Sequence, residues 1–287
     1  MVTLTLLTGL LASVAIQQTD TVVSVDPGSR LVIESFRGEV TIDTWDRNEM
    51  RIWGNHSSRT YIDIRQSGSA VRLRANAWAG PAQVDYELTI PASMDIDIRG
   101  TFISADIDGT QGEVRVFTTQ GDIDVRGGSG YIHLETVNGR VNLENANGNI
   151  DVQSTNGRVS VTDATGEISA SSVNGGITLS GIESSDVRAE TTSGGVYYDG
   201  TIVDGGRYSL STHSGDVVVG MPDNVNATFG VSTFSGNLDT DFPVTVTGTR
   251  APGRPFNFTI GDGSARVEMR SFSGDIEITR RGAGRRR

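Results

Sequence analysis

The chain of 287 residues contains no cysteine. Disulfides, thiolate metal centres and lipidated cysteines are excluded at once, and with them a lipoprotein anchor. Proline is scarce, with 7 residues, and aromatics make up only 6%. Basic residues are outnumbered, 24 against 35 acidic, giving a net charge of −11. Nucleic acid is thereby excluded as a partner, because its phosphates demand a basic face. Apolar residues reach only 36%, thin for a globular enzyme core, whereas 36 glycines suit a turn-dense all-β chain. Long apolar runs are missing except one, Val2 to Ile16. That run is short for a membrane span. With the small residues Ser13-Val14-Ala15 at its end, it predicts a signal peptide over 1–16.

What is present is repetition. Glycines recur at 112, 121, 130, 139, 148, 157, 166, 175 and 194, with Ser185 in the remaining slot. The step is nine residues (121−112), except for one of ten (185−175). Two and four residues after each anchor lie apolar residues such as Ile123/Val125, Ile132/Leu134, Val141/Leu143 and Ile150/Val152. This period of two between turn formers marks half-buried strands, and the three- and four-residue spacing of helices is absent. Alternate phrases carry Ser or Thr three residues before the anchor (Thr118, Thr136, Ser154, Ser172, Thr191), and Gln, Asn or Ser just before it. The true repeat is therefore two phrases, about 18 residues per coil. The expected fold is all-β: a two-sheet parallel β-solenoid of 9-residue half-repeats, with a β-rich N-terminal cap.

Organisation follows from where the repeat is regular. Residues 17–93 read as the cap and first coil, with Leu31/Ile33 and Val40/Ile42 already nine apart. Residues 94–220 read as the regular solenoid, and 221–279 as irregular coils taken in chain order, Phe229/Val231 with Leu238 and then Val267/Met269 with Ile276/Ile278. An insertion from Thr240 to Asn257 carries Pro243, Pro252 and Pro255, and 280–287 reads as a disordered basic tail.

Outward positions of successive coils align at strand spacing, so they can gather side chains distant in sequence. One such row holds Arg115, His133, Asp151, Ser169 and Arg188. Arg115, His133 and Asp151 are the candidate binding residues, a small polar cluster whose His and carboxylate have the means to exchange protons. The bland alternative is a solvated ladder of mixed charge. On the other sheet, Asp122 beside Arg140 reads as an interstrand ion pair. His56, His133 and His213 are too scattered for a metal site, and no cofactor is expected. A calcium β-roll would need Asp two residues past the anchor, where this chain has Ile or Val. Trp45, Trp53 and Trp78 read as core of the cap, with sugar stacking as the alternative.

The phrase LVIESFRGEVTIDTWDRNEMRI, followed by many TTxGDIxV and TxNGRVxL phrases, resembles the DUF4097 family of bacterial β-strand-repeat proteins, described as adhesins. The resemblance spans about Leu31 to Thr279. It implies a secreted, periplasmic or cell-surface β-solenoid, and it supplies no catalytic motif, so no site residue is carried over. The resulting expectation is a non-enzymatic adhesin-like scaffold that binds an envelope polysaccharide or protein through its repetitive faces. The alternative is a carbohydrate-active β-helix enzyme, a polysaccharide lyase or hydrolase, and hydrolysis would need two carboxylates flanking the sugar bond. A third reading is a regulatory partner docking at an open sheet edge.

Overall fold

A computed structural model describes residues 16–243 and 256–281. The expected leader (its residues 1–15), most of the proline-bearing insertion, and the tail from residue 282 lie outside the described residues. Within them the chain is all-β, with no helix.

The repeated phrases stack in two parallel ladders. In the first, Val114–Gln120, Ser129–Asn138, Asn147–Ser154 and Thr165–Ser172 pair in turn, with Ile132 beside Val114 and Ile150. In the second, Ile123–Gly127, Val141–Glu144 and Val159–Thr162 pair, with Val141 beside Ile123 and Val159. Each partner lies one 18-residue coil away (150−132 and 159−141). Every second side chain points inward. Ile132, Leu134, Val141, Leu143, Ile150, Val152, Val159 and Val161 are all fully buried. Like residues sit on like, so β-branched chains fill the space between ladders in columns, each worth ~1.5–3 kcal/mol of burial. A thin core thus suffices, provided it is continuous.

Glycine and serine/threonine columns close the turns. A Cβ on Gly157 would fall 1.8 Å from the carbonyl oxygen of Gly139 in the coil before it, and one on Gly139 1.9 Å from that of Gly121. No side chain fits at these two bends, so both anchors must be glycine. The carbonyl that this close approach exposes accepts a hydroxyl from the following coil: Thr136 donates to Gly121 at 3.0 Å, Ser154 to Gly139 at 2.8 Å, and Ser172 to Gly157 at 3.0 Å. Beside them, Asn174 donates to Asn156 and Asn156 to Asn138, at 2.7 and 2.8 Å. At the opposite corner Asn145 and Asp163 adopt positive φ, which short polar side chains tolerate best after glycine.

Both ends depart from chain order. Arg30–Trp45 lies between Asp95–Thr110 on one side and Ala70–Ala77 with Val84–Pro91 on the other. At the far end, Val196–Ser214 and Val217–Met221 pair with Ala265–Ser273 and Ile276–Arg280, the last strands in sequence. Ala227–Ser235 and Leu238–Thr240 then lie outside those. The sequential reading of the C-terminal coils is therefore corrected: Val267/Met269 belong one layer inside Phe229/Val231. Periodicity identifies which residues make a coil but carries no information on layer order. Antiparallel strands flank these end layers, Thr60–Ser67 on Ala70–Ala77, Ile16–Ser24 on Glu49–Ser57 and Phe256–Ile260 on Ala227–Ser235, shielding parallel edges that would otherwise recruit further strands.

Candidate functional site

The outer face of the first ladder carries the predicted row. Register places Arg115, His133, Asp151, Ser169 and Arg188 side by side on successive strands. His133 and Asp151 are in contact, Nδ1 to Oδ2 at 3.1 Å. The second ring nitrogen, Nε2, lies 3.4 Å from Glu135. Gln153 donates to both oxygens of Asp151, at 3.0 and 3.1 Å. Arg115 does not join this contact. Its guanidinium pairs with Glu113 at 2.7 Å and rests 5.0 Å from the centre of the Tyr131 ring, which lies nearly parallel to the imidazole. The three residues share one patch, but only the histidine and aspartate touch.

Electrostatics follow from that pairing. The hydrogen bond to Asp151 raises the His133 pKa above its ordinary 6.5, against an opposing desolvation effect. Its imidazolium in turn holds Asp151 below the ordinary 3.8. Each side chain keeps about a quarter of its surface exposed, 26% and 28%, so protons can reach the pair directly from water. Beside it runs a shallow furrow of about 270 Å³, lined by Glu135, Gln153, Ser171 and Glu190 among others. Glu135 and Gln153 were not singled out in the sequence. Both lie two residues beyond members of the row, so the strand period of two places them on the same face.

Elsewhere the sequence candidates scatter. Arg140 reaches Asp122 at 3.4 Å on the second ladder, and its backbone N–H donates to the same carboxylate at 2.9 Å. His56 is held in the cap by Thr19, 2.9 Å away, while His213 stacks on Phe272. The reading of Trp45, Trp53 and Trp78 as cap core is corrected: the first two are only partly buried and stand outside the core cluster, and Trp78 is 79% exposed beside Tyr61. Trp53 alternates with buried Ile52 and Gly54 and so points outward. Among the described residues no three His, Asp or Glu side chains gather to hold a metal ion. No helix there is long and apolar enough to cross a membrane.

Residues 149–279 match the family model described as Toastrack DUF4097. The matched stretch is shorter than the Leu31 to Thr279 resemblance and holds the later coils together with both out-of-order C-terminal layers. No curated protein matches the chain. Among solved structures, one from Clostridium sporogenes ATCC 15579, described as a "putative cell adhesion protein", is 13% identical. It aligns over 92% of this chain and 100% of its own, with a TM-score of 0.24. A second, a "putative adhesin" from Parabacteroides distasonis ATCC 8503, is 11% identical over 91% and 97%, with a TM-score of 0.30.

Proposed function

We propose that this protein is a non-enzymatic, adhesin-like scaffold of the cell envelope or exterior, which holds a polysaccharide or protein along its repetitive outer faces. The observation that carries the reading is the parallel register itself. Outward side chains of consecutive coils stand in rows one strand apart, about 4.8 Å, on a rigid support. Such rows suit an extended partner that makes many modest contacts, each weak alone and strong in sum. The grooves on these faces are shallow, as the furrow beside Glu135 illustrates. In this reading Arg115, His133 and Asp151 contribute polar contacts to the partner. The test is retention of the full chain on immobilised envelope polysaccharides and capture from envelope extract. Replacing Arg115, His133 and Asp151 together by Ala should weaken retention several-fold without loss of folding, and unchanged retention would remove the patch from the binding surface.

One observation favours a second reading. The 3.1 Å contact of His133 with Asp151 joins two groups able to exchange a proton, and Glu135 stands 3.4 Å from the other ring nitrogen. A carbohydrate-active enzyme built on it would lose turnover in His133→Ala and Asp151→Ala, whereas the scaffold reading has no turnover to lose.

A further inference from the structure

Four coils along the same face, the polar row changes character. The pairing between Ile177–Ser193 and Val196–Ser214 slips between Ser184 and Asp186, and beyond the slip Arg207 comes to stand directly beside Arg266. Like charges on directly neighbouring strand positions repel. Two residues on, Ser209 lies between Arg188 and Glu268, and its small side chain leaves a groove of about 290 Å³ between them. The guanidiniums around that groove are only loosely committed. Arg207 pairs with Asp186 at 2.9 Å, and Arg188 with Glu190 at 2.7 Å. Arg266 and Arg270 share the one carboxylate of Glu268, at 2.8 and 2.6 Å. Four arginines thus face three carboxylates, a local excess of one positive charge on a chain whose net charge is −11.

We infer that this groove is an oxyanion-binding site, and that its ligand is the carboxylate or sulfate group of an acidic polysaccharide. The Arg207/Arg266 pair supplies two planar forks one strand apart, and a carboxylate or sulfate set between them would relieve their repulsion while taking charge-assisted hydrogen bonds from both. The chain contains no lysine, so guanidinium forks are its only basic side chains apart from histidine. The arginines are 64–77% exposed at their side chains, and exposed ion pairs contribute little, so an incoming oxyanion displaces the resident carboxylates at small cost. The groove is open along the face and lies on the same ladder as His133, which lets a polymer chain pass through it. The inference deepens the scaffold reading and rests on it.

Calorimetric titration of the full chain with oligogalacturonate, dextran sulfate and neutral dextran tests it. Binding is expected for one or both acidic probes and not for neutral dextran, weakening as salt is raised. Carboxylate and sulfate ligands are told apart by which acidic probe binds. Arg207→Ala with Arg266→Ala should weaken that binding ~10-fold or more, and the double Lys replacement should recover only part of it. Glu268→Gln, which frees two arginines, should tighten it ~3-fold, a gain that damaged folding would not produce. Binding that ignores these substitutions, equal binding of neutral dextran, or no binding of either acidic probe would each overturn the inference. Capture of envelope material by the double Ala variant at undiminished level would show in addition that the scaffold reading survives without this groove.

Discussion

Ser154 donates its hydroxyl to the carbonyl of Gly139, 2.8 Å away in the coil before it. The same glycine carbonyl stands 1.8 Å from where a Cβ of Gly157 would fall, so the two columns solve one problem together. Coils stack closely enough to share a core only because glycine leaves room, and the backbone oxygen left at that bend is satisfied only because a hydroxyl follows. Gly157→Ala forces backbone against backbone and should cost several kcal/mol, at the upper end of single-substitution effects. Ser154→Ala leaves a buried acceptor short of its partner and should cost ~1–2 kcal/mol. Urea titration of both variants checks the ranking, and a milder effect for Gly157→Ala than for Ser154→Ala would contradict it.

The His133–Asp151 contact should make stability depend on pH in a defined direction. His133 has a raised pKa, so its share is complete below its ordinary 6.5 and is lost as pH rises through the folded value. Asp151 has a lowered pKa, so its share is complete above its ordinary 3.8 and is lost as pH falls through the folded value. The coupling between them should therefore be greatest between those two pH values. A double-mutant cycle with His133→Ala and Asp151→Ala, run at pH 5 and pH 9, should give ~0.5–1 kcal/mol at pH 5 and less at pH 9. Equal coupling at both would mean that the imidazole is not charged in the pair.

Tyr86 is buried in the cap with a hydroxyl that meets no partner among the described residues. Its pKa is pushed far up by burial. Tyr86→Phe removes an unsatisfied polar atom while keeping the ring, so stability should be unchanged or rise by up to ~1 kcal/mol. A loss larger than that in thermal or urea unfolding would reveal a partner for the hydroxyl.

The layer order at the C-terminal end makes a claim about dependence. Ala227–Ser235 rests on Ala265–Ser273, which separates it from Val196–Ser214. Truncation after Asp241 should therefore leave Ala227–Ser235 without its inner neighbour, and its amides should lose protection from hydrogen exchange. Retained protection would mean that the strand pairs directly with Val196–Ser214, as simple chain order had implied.

The regular coils were legible because a strict repeat dictates both inward residues and register. Adding 18 to 133 reaches 151, so the contact could be written from numbering alone. Arg115 obeys the same arithmetic yet turns away, because Glu113 and the Tyr131 ring compete for its guanidinium. The oxyanion groove is not legible in the sequence for a related reason: it arises where the repeat breaks, and a shifted register cannot be counted from a fixed period. The exchanged layers at both ends were invisible, since any coil of matching width satisfies the same pattern. The tryptophans misled because composition suggests burial for large aromatics, while strand alternation decides the face.

Binding and turnover separate in a single experiment. Purified full-length protein is incubated for hours with a panel of envelope polysaccharides while retained protein and released sugar are both followed. Saturable retention with no released oligosaccharide is the predicted result. Oligosaccharide release that disappears in His133→Ala or Asp151→Ala would contradict the account and assign the face to catalysis.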